Sequence, residues 1–334
     1  FYSLGKINGI MSTIVVTCNS LRAAFGQALI DLAQTHSFFV VDCDVAGGTC
    51  TDKFRNLYPS RFIQAGISEQ AGLGLSVGLS RSTGQKVIFS TFAAFGARAW
   101  EIARLAVAHD QANVIIALSH VGLNTAQDGS SAQSLEHYAI WRSLPNMAIL
   151  HPCDSLEMEQ VVSWALTYPG PIVLFTGRSP TPLVTSLKYR FTFGKGSLIY
   201  PPIDHTKTLH PRTSDVSLIA CGHTVAICIE AARQLIETGV IVRVANLSTL
   251  KPVDFIFLRE LQRTSRLLMT VEDHAGEAGL FGIVAEAIAP TRSDTPLVSV
   301  SVSGFGQSGS PDELYSKYGI GIEAVVKRVR ELMV

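Results

Sequence analysis

The chain has 334 residues, 47% hydrophobic and only 16% charged, with a mean hydropathy of +0.28. That length suits two ordinary domains, and so sparse a set of solvated residues predicts that part of the surface is buried in an assembly. The 27 basic and 27 acidic residues balance, which leaves no cationic footprint for nucleic acid and no basic run for a membrane surface; small polar or phosphorylated ligands fit better.

Residues 1–18 read as an N-terminal extension and lead-in. FYSLGKINGI precedes Met11 and lacks the long apolar stretch and small-residue cleavage site of a secretion signal, so the cytoplasm is the expected location. From 19 to 177, helix-period segments alternate with short β-branched runs, the pattern of an α/β fold with a doubly wound parallel sheet. The expected strands are FFVVDCD, KVIFST, NVIIALS and PIVLFT. The expected helices are SLRAAFGQALIDLAQ, ISEQAGLGLSVGLS, ARAWEIARLAVAH and DSLEMEQVVSWAL, the last with Asp154 and Ser155 as candidate caps. A proline-containing stretch, 178–212, breaks the rhythm and reads as a linker with one short extended segment. A smaller α/β unit follows over 213–334, with strands in DVSLIACG, VIVRVANLS, RLLMTVED and PLVSVSV and a helix over Val225–Glu237.

Cys18, Cys43, Cys50, Cys153, Cys221 and Cys228 form no C-x-x-C pair, so reduced, mostly core thiols are expected and no metal ligands are assigned. Gly304–Gly309 has a G-x-G-x-x-G spacing but stands too near the C-terminus for a dinucleotide fold, and His274 reads as a structural loop histidine.

The most informative segment is RFIQAGISEQAGLGLSVGLSRSTG, where a glutamate opens a helix rich in small residues. With STFAAFGARAWEIAR, LSHVGLNTAQDGSSAQSLEHYAIWRSLPNMAILHPCD and GPIVLFTGRSP, and later NLSTLKPVD, VEDHAGEAGLFG and SGFGQSGSPDELYSKYGI, it resembles the transketolase family in order and spacing over nearly the whole chain. The resemblance implies a thiamine-diphosphate-binding pyrimidine domain followed by a transketolase C-terminal domain, the second half of an enzyme that moves a two-carbon ketol unit from a ketose or ketose phosphate to an aldose.

By that resemblance, Glu69 is the catalytic glutamate that hydrogen-bonds pyrimidine nitrogen N1′ of thiamine diphosphate and so activates the cofactor. On its own it would be a first-turn helix charge worth ~0.3 to 1 kcal/mol. Phe92 and Phe95 match aromatics that pack on the pyrimidine, although phenylalanines three apart are ordinarily core. Asp44 matches an aspartate at the cofactor interface, in a position that otherwise reads as a turn residue. Arg22, His120 and Arg178 match the positions that bind the sugar-phosphate end, and Asp128 the one that contacts a donor hydroxyl, residue types suited to those groups. The family's D-G-x-[ST]-H-Q here runs Asp128-Gly129-Ser130-Ser131-Ala132-Gln133, with Ala132 in place of a substrate-binding histidine, which implies an altered donor. The family's G-D-G motif and downstream asparagine are absent, so Mg2+ and the diphosphate are expected on a partner, the N-terminal transketolase subunit, in an α2β2 heterotetramer. The β subunit of a 2-oxoacid dehydrogenase shares this domain order, but its glutamate and loop segments are worded differently; a noncatalytic scaffold is the third reading, favoured by Ala132 and opposed by Glu69.

Overall fold

The computed structural model describes residues 19–201 and 213–333; residues 1–18, including Cys18, and the linker stretch 202–212 lie outside the described part. In the first half the strands are β1 (Asn19–Ser20), β2 (Phe38–Asp42), β3 (Phe62–Gln64), β4 (Lys86–Phe92), β5 (Val114–Ser119), β6 (Ala148–Leu150), β7 (Ile172–Thr176) and β8 (Pro180–Thr181). In the second they are β9 (Ser197–Tyr200), β10 (Ser214–Ala220), β11 (Val242–Asn246), β12 (Thr249–Lys251), β13 (Ser265–Ala275) and β14 (Leu297–Val302). One seven-stranded sheet has the order β12-β6-β7-β5-β4-β2-β3 and is parallel except for β12. A five-stranded sheet, β14-β13-β10-β11-β9, is parallel except for β9. The α/β architecture with a smaller second unit is therefore the one expected.

The strands read as near-continuous apolar runs because helices cover both faces of the sheet. Ile88, Ile115 and Leu174 pack with Leu29 and Met158 from the helices Leu21–Leu32 and Ser155–Thr167. Their chain neighbours Phe89, Ile116 and Phe175 point the other way, as strand periodicity requires. They pack instead with Leu73 of the helix Glu69–Thr83 and with Trp141. Ser20 and Asp154 cap those first two helices, accepting from Ala23 N at 3.3 Å and Glu157 N at 2.9 Å; Ser155 is helical rather than the cap. The expected helix over Ala97–His109 forms as helical turns that widen to π geometry over Ala103–His109.

The two units interlock. Strand β12 leaves the second unit to pair antiparallel with edge strand β6 of the first sheet, and β9, the extended segment of the linker, closes the edge of the second sheet on β11. Ile219, Leu247, Leu250 and Leu268 of the second unit share one apolar cluster with Trp141, Tyr138 and Phe175 of the first.

A buried polar layer is set into that shared core. His274 lies on strand β13 rather than in a loop; its Nε2 is 2.9 Å from a Glu272 oxygen and its Nδ1 3.4 Å from Asp273. Asp273 is also 2.9 Å from His223 Nε2. The Tyr138 ring meets His274 edge-on at 4.0 Å between centroids, and its hydroxyl touches Cys221 Sγ at 3.1 Å and bonds His151 Nδ1. Charges this deep persist only when paired. Burial alone would lower the His274 pKa, but the hydrogen bonds and charges of Asp273 and Glu272 outweigh it and raise it to about 9. Burial likewise works to raise Asp273, yet His223 and His274 hold it well below the usual carboxylate range.

The sign of the His274 shift fixes a pH effect. Below the ordinary histidine pKa of about 6.5 both folded and unfolded chains carry the proton and the stabilisation is complete. As pH rises further the unfolded chain loses the proton first, and the contribution disappears as pH passes about 9. Urea unfolding across this window should show wild type losing more stability than His274→Gln; parallel pH curves for the two proteins would contradict the assignment.

Candidate active site

The site is assembled at the carboxyl ends of β2, β4 and β5, where loops of a parallel sheet converge. After β2, the buried Asp42 carboxylate accepts from Val45 N at 2.8 Å, Thr49 Oγ1 at 2.9 Å and Thr51 Oγ1 at 3.0 Å, drawing the turn through Gly48 tight. Burial raises the Asp42 pKa against the pull of these hydrogen bonds. A Cβ on Gly48 would lie 2.6 Å from the Phe92 ring, so only glycine lets β4 bring that ring so close to the turn. Arg22, in the first turn of its helix, donates to Gly48 O at 2.8 Å and to Arg178 O at 3.2 Å.

Glu69 is the first residue of its helix and only 5% exposed. Its Oε1 is 3.2 Å from Arg98 Nη1, and the Arg98 guanidinium lies 5.2 Å from the centroid of Phe95. Phe95 stacks on Phe92 at 5.3 Å and 23°, and Phe92 on His120 at 3.6 Å and 21°. His120 Nε2 is 3.3 Å from Asp128 Oδ2, and Asp128 Oδ1 is 3.2 Å from Arg178 Nη2. An unbroken run of contacts thus leads from Glu69 to Arg178, with Arg22 bound to the Arg178 carbonyl.

Seven of the eight residues singled out in the sequence come together this way. Asp44 does not join the run: it is exposed, has a left-handed φ of 65°, and is tied to Gln64 by a reciprocal pair of hydrogen bonds at 2.9 and 3.1 Å. Two residues passed over in the sequence belong to the arrangement. Arg98 follows Phe95 by three, a spacing that puts both on one helical face, and Asp42 is the inward-pointing one of the two aspartates in FFVVDCD.

His120 has a left-handed φ of 62° and is buried, with Nδ1 2.9 Å from Ser119 Oγ. Burial, then the charges of Arg22 and Arg178, lower its pKa to about 3, so the ring is neutral at physiological pH. The positive charge at this end of the site comes from the two arginines. Among the described residues no three His, Cys, Asp or Glu side chains come together as metal ligands, and no helix is long and apolar enough to cross a membrane.

Two family models match in tandem, the transketolase pyrimidine-binding domain over residues 19–182 and the transketolase C-terminal domain over 204–325. The fold is that of an α/β protein whose larger first unit matches the pyrimidine-binding domain and whose smaller second unit matches the C-terminal domain. A transketolase C-terminal section of Methanocaldococcus jannaschii is 34% identical over 94% of this chain and 96% of its own length. One subunit of an apulose-4-phosphate transketolase of Phocaeicola vulgatus is 31% identical over 97% and 99%. A split-gene transketolase solved as an inactive β4 tetramer superposes with a TM-score of 0.81 at 34% identity, covering 94% of this chain and 98% of that one. The chain belongs to the transketolase family. It spans nearly the full length of these separate C-terminal sections and about half of single-chain relatives such as human transketolase, 49% of which it covers.

The neutral state of His120 is measurable. With its ring resonances assigned by loss in His120→Gln, they should not titrate between about pH 5 and 8; a midpoint near the ordinary value of about 6.5 would contradict the site's electrostatics.

Proposed function

We propose that this chain is the C-terminal subunit of a thiamine-diphosphate-dependent transketolase, cytoplasmic and active only with a separate subunit that holds the diphosphate and its Mg2+, in an α2β2 assembly. In this reading residues 19–177 are the pyrimidine-binding domain, 178–212 the linker and 213–334 the C-terminal domain. The observation that carries it is the continuous run from Glu69 through Phe95, Phe92 and His120 to Arg178, which puts in contact residues that the resemblance assigns to cofactor and to substrate. The near-complete overlap with separately encoded relatives supports the split arrangement, and the inactive tetramer of such a relative supports the need for a second kind of subunit.

The residues present fit the cofactor's flat, nitrogen-bearing ring. Phe92 and Phe95 offer half-buried aromatic faces, and Arg98 touches both Phe95 and Glu69, so the carboxylate stands beside those faces. When bound, thiamine diphosphate supplies a nucleophilic carbon and a sink for negative charge. Glu69 would hold a proton at N1′, and Arg98 occupies only its Oε1, which leaves the other carboxylate oxygen for the ring. The two phenyl rings would hold the pyrimidine by stacking and exclude water from it. Arg22 and Arg178 draw in the sugar-phosphate end with charge-assisted hydrogen bonds, His120 adds a neutral ring nitrogen there, and Asp128 accepts from a donor hydroxyl. Asp44 serves at the outer edge of the cofactor interface.

Ala132, with a relative named for apulose 4-phosphate, supports a donor other than an ordinary ketose phosphate. Assayed with its partner on ketose phosphates and on 2-oxoacids, the enzyme should transfer from the former only, and Glu69→Gln should lower cofactor-dependent transfer at least about a hundredfold with assembly intact. An unchanged rate in that variant removes Glu69 from the mechanism, and release of CO2 from a 2-oxoacid overturns the transketolase assignment. Ala132→His should favour xylulose 5-phosphate over the wild-type preference; equal turnover of that sugar by both proteins would count against an altered donor.

A further inference from the structure

The second unit holds no residue of the run from Glu69 to Arg178, yet it reaches the loop that carries His120 and Asp128. The buried Asp273 carboxylate, at the end of β13, accepts from the backbone N–H of Asn124 at 3.2 Å. It faces Gly122, where φ is 69° and where a Cβ would collide with the carboxylate, so the fit needs both the glycine and the aspartate. Asn124 passes the contact on: its side-chain oxygen accepts from Ser179 N at 2.8 Å, and its carbonyl accepts from Ser179 Oγ at 2.7 Å. Ser179 adjoins Arg178, and Asp128 lies four residues beyond Asn124. A second tie runs beside the first, because Gln133 Nε2 donates to Ala126 O at 3.2 Å and to Gln307 O at 2.9 Å.

Asp273 is itself held from three sides. His223 and His274 approach its two oxygens. Glu272, which grips His274 from the far side, accepts from Leu280 N at 2.6 Å and Phe281 N at 2.9 Å at the start of the helix Leu280–Ile288. A carboxylate anchored this way is a rigid post, whereas a loop bonded only to itself would have several conformations within reach.

We propose that Asp273 is a positioning residue for substrate: through Asn124 and Ser179 it sets the separation of Asp128 and Arg178, so that the C-terminal unit tunes recognition of the donor without touching it. The substrate part of this inference rests on the function proposed above; the mechanical part does not. Asp273→Asn keeps the shape but loses the charge that holds His223, His274 and the Asn124 N–H together. Asn124→Ala leaves His223 and His274 against Asp273 and removes the side-chain half of the bridge, the bond from Ser179 N, while the Asn124 carbonyl still accepts from Ser179 Oγ.

The test uses the assembled holoenzyme with whichever of apulose 4-phosphate and xylulose 5-phosphate wild type turns over faster, together with peptide-resolved hydrogen exchange. Each variant should raise KM for the donor about tenfold while kcat and the thiamine diphosphate requirement stay within about twofold. The double variant should be no worse than the more affected single one, because both act through one linkage. Exchange should quicken in Val121–Asp128 and around Ser179 and stay unchanged in β4. Unchanged exchange in that loop overturns the inference, as does a loss of kcat, cofactor binding and melting temperature together, which marks a purely structural role. Should Asp273→Asn fail to fold, Asn124→Ala decides alone by the same readings. A wild-type enzyme inactive on both donors would count against the proposed function, while the exchange data would still decide whether Asp273 holds the loop.

Discussion

Phe92 and His120 lie face to face with their ring centroids 3.6 Å apart, and this contact turns two half-sites into one. On one side of it are a flat aromatic pair and a buried carboxylate; on the other are Asp128 and the two arginines. A face-to-face approach this close suits a neutral ring packed against an apolar one, and the depressed pKa of His120 is the electrical side of the same arrangement. The backbone accommodates it at Gly48, which leaves room for the Phe92 ring, and at His120 itself, whose left-handed conformation is uncommon for a residue with a side chain. Such local strain persists only where the surroundings enforce it.

Those surroundings include the second unit. Its apolar core is continuous with that of the first, and His274 with Glu272 and Asp273 carries charge into a region where unpaired charge is prohibitive. An apolar interface would bury area as well, but hydrogen-bonded ions fix relative position, which an apolar contact does less well. The tolerance needed in a catalytic site is a fraction of an ångström, and a loop tied to such a layer can meet it.

The order of strands and helices was legible because both faces of each sheet are buried, which writes β2, β4, β5 and β7 as near-continuous apolar runs. Strand β12 was not legible: Thr249–Lys251 is too short for periodicity, and its pairing with β6 is a tertiary choice. Among site residues, Glu69, Phe92 and Phe95 stood out through the wording of whole segments, since composition alone assigns phenylalanines to the core. Asp44 was preferred to Asp42 for the same reason, while the strand's alternation points Asp42 inward. The ion pairing of His274 was not legible although Glu272 and Asp273 adjoin it in the chain, because their burial is a tertiary outcome and only the fold brings in His223 and Asn124. Arg98 could have been found from its spacing to Phe95.

If the proposed function holds, this chain carries the pyrimidine half of a cofactor site and the diphosphate half is elsewhere. Calorimetric titration of thiamine diphosphate with Mg2+ into this chain alone, into its partner alone and into the mixture tests that division directly. Saturable binding should be strong only in the mixture, and Glu69→Gln should weaken it there. Equally tight binding by this chain alone would contradict it.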